Sequence, residues 1–189
     1  MSKRFILAMF ALCVLAQVEF AAGEFVPGHI YLVAREAEVC ELGGEEWIVD
    51  VDPETGEFEV FAHSESDPGI CAITGVRFTP DGRRLLALNY GFILVQDVGG
   101  VQSFQPDGQS ETILDERDGM SGPHGHNGLA FDGIGDLYVV NSDNSSILRV
   151  PADGSPSSVF ATGLDGIFGS GALEIALNGD LFYAGKGGR

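Results

Sequence analysis

Residues 121–128 read Ser-Gly-Pro-His-Gly-His-Asn-Gly and hold two of the chain's four histidines. On an extended segment, side chains two residues apart project to the same side, so His124 and His126 share a face. Imidazole and the Asn127 amide oxygen are both metal ligands, and histidine also serves as a general base near neutral pH. His124 and His126 are therefore the candidate catalytic residues, and Asn127 a candidate metal ligand. Asp165, in Leu164-Asp165-Gly166, is the carboxylate placed to reach the same rim. The cation these groups would hold is divalent, such as calcium or zinc. The alternative reading is a glycine-rich connector whose polar residues satisfy backbone groups.

A second oxygen-rich stretch, Asn141-Ser142-Asp143-Asn144-Ser145, reads first as a β-turn in which Asn and Asp bond their own backbone. Its other reading is a hard-cation site, although it lacks EF-hand spacing. No nucleophile elbow, phosphate-cradling glycine loop or zincin helix occurs.

These segments need a scaffold, and the chain supplies one by repetition. Residues 128–154 read GLAFDGIGDLYVVNSDNSSILRVPADG, with a looser version at 75–108 and the start of another at 171–185. Phe78 and Phe131 stand 53 residues apart, and Asp136-Leu137-Tyr138 returns as Asp180-Leu181-Phe182 after 44. Runs of four to seven β-formers between Asp-Gly turns predict antiparallel strands. No segment after residue 24 carries a sustained 3.6-residue period, so helix is expected to be nearly absent. Four strands per unit, recurring at this spacing, predict an all-β chain folded as a β-propeller.

The expected blades span about 28–62, 70–116, 127–162 and 171–189, the first lacking its inner strand and the last its outer ones. Propellers have four to eight blades. Either the chain is a truncated portion of a longer propeller, or two copies complete one ring by self-association. Function in such folds sits where the inner strands begin, around the channel, and 121–128 falls at that point. Trp47 and the thirteen phenylalanines are expected in the core and between blades.

The first residues have the anatomy of a secretory signal. Lys3 and Arg4 precede an apolar run, Phe5–Ala16, and small residues follow at Ala21-Ala22-Gly23. Residues 1–23 are thus read as a signal peptide and 24–189 as the mature, secreted or periplasmic domain. The apolar run is shorter than the ~20 residues of a spanning helix, so no stable membrane span is expected after cleavage; an uncleaved anchor is the competing reading. Cys13 would leave with the signal. Cys40 and Cys71 would remain, and in an exported chain such a pair suggests a disulfide, closing a loop worth on the order of 3–4 kcal/mol. Two unconnected buried thiols are the alternative.

The net charge is −18, and residues 24–67 hold thirteen Asp and Glu against Arg35 alone. That surface repels nucleic acid and anionic membrane. It is either a plain solvated face or a weak attractor of divalent cations.

Over GLAFDGIGDLYVVNSDNSSILRV the chain resembles an NHL repeat. More broadly it is similar to the six-bladed propellers that include gluconolactonases and the senescence-marker (regucalcin) proteins. The resemblance implies a ring of six blades, of which this chain would form about half. It further implies a channel metal held by a Glu, an Asn and an Asp. Asn127-Gly128 matches the family's Asn, which stands directly before a Gly. The family's Asp lies in a Pro-Asp-Gly, for which Leu164-Asp165-Gly166 is the nearest text, and Glu46-Trp47 only loosely resembles its Glu-Gly-Pro-x-Trp. The histidines before the inner strand are also similar to those of streptogramin-lyase-like propellers. Two functions are therefore expected: a module binding a protein or small-molecule ligand at the channel face, or a metal-dependent lactonase-like hydrolase.

Overall fold

The computed structural model describes residues 24–35, 45–64, 72–89, 100–120, 128–141, 144–164 and 172–185. They form four antiparallel sheets in chain order. The first contains β1 (Ile30–Arg35), β2 (Glu46–Val51) and β3 (Phe58–His63). The second contains β4 (Ile73–Phe78), β5 (Leu85–Asn89), β6 (Gly100–Phe104) and β7 (Ser110–Leu114). The third contains β8 (Leu129–Phe131), β9 (Leu137–Asn141), β10 (Ser146–Val150) and β11 (Ser158–Thr162), and the fourth β12 (Ala172–Ile175) and β13 (Leu181–Ala184). A single turn of 3-10 helix, Glu116–Asp118, is the only helical element among the described residues.

Strand order within each sheet follows chain order, so every connection is a hairpin. Asp-Gly pairs close four of those hairpins. Asp81, Asp107, Asp132 and Asp153 each accept a hydrogen bond from the backbone N–H two residues on, the self-bonding expected of turn aspartates. Gly108 shows why glycine follows: its φ is 81°, and a Cβ there would meet the Phe61 carbonyl oxygen at 3.2 Å.

Sheets stack face to face through three apolar seams. Ile48 and Ala62 of the first sheet pack on Ile73, Leu85, Ala87 and Phe104 of the second. Leu86, Leu88, Val101 and Leu114 pack on Leu129, Leu137, Val139 and Leu148 of the third. Ala130, Tyr138, Val140 and Ile147 pack on Leu173 of the fourth. Residues 85 and 87 thus face backwards and 86 and 88 forwards, so β5 is apolar from Leu85 to Leu88, as a strand buried on both faces must be. The first seam adds an aromatic cluster in which Tyr31 meets Phe25, Phe61 and Phe78 edge-on at 5.2–5.4 Å.

The registers match sheet to sheet. Tyr31 pairs with Asp50, Leu86 with Ser103 and Tyr138 with Arg149. One β-bulge recurs at the equivalent place in each outer pair, after Ile48, Val101 and Ile147. Gly100 opens β6 because a Cβ there would stand 2.5 Å from the Leu114 carbonyl oxygen. The phenylalanines divide: Phe104 is fully buried, whereas Phe58, Phe160 and Phe182 are exposed, contrary to a uniform core role.

Candidate functional site

Phe78, Phe131 and Ile175 occupy one position in the first strands of the second, third and fourth sheets, and each packs toward the preceding sheet. The first strands β4, β8 and β12 therefore start at one end of the stack, here termed the mouth end. The Asp-Gly turns between first and second strands lie at the other.

At the mouth end the polar groups lock sheet to sheet. Glu46 is fully buried. Its Oε2 accepts the Ile73 N–H at 2.9 Å, and its Oε1 lies 3.4 Å from Arg35 Nε. Arg35 Nη2 donates to the Ile73 carbonyl oxygen at 2.8 Å, closing the arrangement. Glu46 thus secures the start of β4, and its position on β2 separates it from any ligand role suggested by Glu46-Trp47. Asn89 Oδ1 accepts the Gly100 N–H at 2.5 Å. The equivalent Asn141 is fully buried and donates through Nδ2 to the Gly119 carbonyl oxygen at 2.8 Å. This amide donates in the core and anchors the connector that holds Gly119. Ser142 and Asp143 lie outside the described residues.

Between the first strands, Arg77 of β4 donates from Nη1 to the Leu129 carbonyl oxygen at 3.1 Å. Its Nη2 reaches Glu174 of β12 at 2.7 Å. One side chain therefore ties three successive first strands together.

At the turn end each complete register carries a polar side-chain pair, with its chemistry permuted. In the first sheet His29 Nδ1 lies 2.7 Å from Asp50, and Tyr31 donates to the same carboxylate at 2.7 Å. Burial, then the Asp50 carboxylate, raises the Tyr31 phenol well above its usual range. Burial and the neighbouring Asp50 also raise Glu59. In the second sheet the residue equivalent to His29 is Arg84, which reaches Glu111 on the outer strand at 3.1 Å. In the third it is Asp136, which accepts from Ala152 N–H at 2.9 Å and pairs with Arg149. The Ala152 hydrogen bond, reinforced by Arg149, lowers the Asp136 carboxyl below its ordinary value. Composition offered no sign of these pairs, because one position is His, Arg and Asp in turn.

His124, His126, Asn127 and Asp165 lie outside the described residues, as do Cys40 and Cys71. Among the described residues, no three His, Cys, Asp or Glu side chains come together to hold a metal ion. No helix among them is long and apolar enough to cross a membrane.

No protein-family model and no curated protein matches the sequence. Solved structures do. The chain is similar to regucalcin from Agrobacterium tumefaciens, described as a calcium-binding protein: 19% identity over 88% of this chain, TM-score 0.60. It is similar to an auxiliary nutrient binding protein from Bacteroides thetaiotaomicron, with 12% identity over 86% of the chain and a TM-score of 0.61. Virginiamycin B lyase from Staphylococcus aureus aligns at 10% identity over 86% of the chain, with a TM-score of 0.52. The chain folds as blades of a β-propeller. It spans 52% of the regucalcin chain, 35% of the nutrient-binding protein and 50% of the lyase. The four sheets are consecutive blades, and β4, β8 and β12 are inner strands. Arg77 and Glu174 therefore form an ion pair along the channel wall of the propeller.

Proposed function

We propose that the chain is a propeller binding module whose channel mouth captures a cation-dependent small-molecule or protein ligand. The observation that carries this reading is the shared end at which β8 and β12 begin. Segment 121–127, with His124, His126 and Asn127, leads into β8, and segment 165–171, with Asp165, leads into β12. In this reading the four candidate residues, which precede neighbouring inner strands in the sequence, converge at that end of the channel. The net charge of −18 favours a cation there. Two similar structures are described as calcium-binding and nutrient-binding proteins, which supports binding as the activity. In this reading Asn127 and Asp165 supply oxygen ligands, and His124 and His126 add nitrogen donors suited to zinc over calcium. Calorimetric titration with calcium and with zinc tests it. Saturable binding, weakened at least tenfold by Asn127→Ala or Asp165→Ala, is expected; heats indifferent to both substitutions would sink the proposal.

Asn127-Gly128, which matches the Asn-Gly of the gluconolactonase-like propellers that the sequence resembles, favours a second reading, metal-dependent lactone hydrolysis. The metal would polarise the lactone carbonyl, and His124 or His126 would take a proton from water. Metal-dependent hydrolysis of an aldonolactone, abolished by Asn127→Ala, would replace the binding-only reading. We also propose that the domain is exported after loss of residues 1–23. N-terminal sequencing of the secreted or periplasmic product tests this, and retention of Met1 would refute it.

A further inference from the structure

Of the chain's five asparagines, Asn144 alone is followed two residues on by serine or threonine with no proline between. Asn144-Ser145-Ser146 therefore reads as an acceptor for asparagine-linked glycan, a motif that requires a surface loop in an exported protein.

The fold supplies that setting. Asn144 is exposed, in the turn between β9 and β10 at the mouth end of blade three. The backbone beside it is fixed, since Ser145 has a φ of 48° and its carbonyl oxygen accepts the Leu164 N–H at 3.0 Å. A glycan on Asn144 would displace no strand.

Ser146 points to the same modification independently. It is 2% exposed, and its Oγ has no hydrogen-bond partner among the described residues. A hydroxyl buried in that way costs stability, and the blade does not call for one. The same position, one residue before the bulge pair, is Trp47 in β2 and Gly100 in β6. Folding thus gives no reason for a hydroxyl at 146. Glycan transfer does, because the transferase reads the third residue's hydroxyl on the extended chain, before β10 forms and buries it.

We propose that Asn144 receives an N-linked oligosaccharide as the chain is exported, an inference that rests on the export reading of residues 1–23. The donor is an oligosaccharide linked to a polyprenyl diphosphate. The bond from its anomeric carbon to the diphosphate oxygen breaks, and one from that carbon to Asn144 Nδ2 forms. The lipid diphosphate leaves, and the amide proton passes to a base on the transferase.

Translation of the full chain with endoplasmic-reticulum microsomes tests this. One sample keeps its own N-terminus, and a second carries an established cleavable leader ahead of Met1. Protease protection reports translocation, and peptide-N-glycosidase reports the glycan by leaving aspartate in place of the modified asparagine. A single glycan is expected, with aspartate at 144 after release, and lost in both Asn144→Gln and Ser146→Ala. Unglycosylated Ser146→Ala is expected to melt no lower than the unglycosylated parent. A lower melt would give the hydroxyl a structural role and overturn the assignment. So would a translocated chain without glycan, or a glycan that survives Asn144→Gln. Translocation only with the added leader would refute the export reading, while the glycan in that sample still decides the site.

Discussion

Arg77 on one inner strand reaches past the next and closes on Glu174 of the strand after it, at 2.7 Å. The intervening blade contributes the Leu129 carbonyl oxygen at 3.1 Å. The two side chains are 34% and 66% exposed, so water screens their attraction. Glu174→Gln is expected to cost about 0–1 kcal/mol, in the range of exposed pairs, and less as salt is added. Arg77→Ala should cost more, because it also frees the Leu129 carbonyl. Urea unfolding at low and high salt checks both, and equal losses for the two variants would contradict the bridging role.

Tyr31 predicts an alkaline limit. Its folded phenol holds its proton more tightly than an unfolded tyrosine, through burial and donation to Asp50. The stability this adds is complete below the unfolded value of about pH 10 and is lost as pH rises through the higher folded one. Ultraviolet titration should show Tyr31 silent until the chain unfolds. Tyr31→Phe is expected to cost about 1–3 kcal/mol at neutral pH, the cost of leaving the buried Asp50 oxygen without its donor.

Asp136 has the opposite sign. Its carboxyl is lowered by the Ala152 N–H and by Arg149, so its contribution is present above the unfolded value of about 3.9. It disappears as pH falls through the lower folded value. Thermal melts from pH 7 to pH 2.5 should show Asp136→Asn less stable than the parent at neutral pH. The two curves should converge in acid, and a constant offset would refute the linkage.

Glu46 tests how blade one is fastened to blade two. Glu46→Leu leaves the buried Ile73 N–H without its acceptor, which is expected to cost about 1–3 kcal/mol. Glu46→Gln keeps an acceptor oxygen there and should cost less. Chemical denaturation of the pair decides the matter, and equal losses would assign the effect to packing.

The fold was legible because its punctuation is chemically obligatory. A hairpin closed by a self-bonding aspartate and a left-handed glycine leaves Asp-Gly in the sequence at Asp81-Gly82, Asp107-Gly108 and Asp153-Gly154. Alternation was a weaker guide, since β5 and β9 are buried on both faces and read as apolar runs up to their final asparagine. The mouth-end locks were harder to see. Glu46 and Asn141 look like ligands in one dimension, and only register shows them spent on Ile73 and Gly119. The candidate ligands His124, His126, Asn127 and Asp165 are legible only as residue types at strand approaches, and their chemistry rests on the titrations described above.

The permuted polar pairs bear on how near-identical blades avoid exchanging strands. Repeats that share turns, bulges and apolar pattern offer one another plausible but wrong partners, the usual failure of tandem arrays. Were β10 to pair with β1 in place of β2, Arg149 would face His29 and the Tyr31 hydroxyl would lose the Asp50 acceptor. Were β2 to pair with β9, Asp50 would confront Asp136, and Ala152 and Arg149 would both be missing from that carboxylate. The change from His29 to Arg84 to Asp136 therefore marks each second strand for its own partner, and the clash of Asp50 with Asp136 penalises one misassembly through like-charge repulsion.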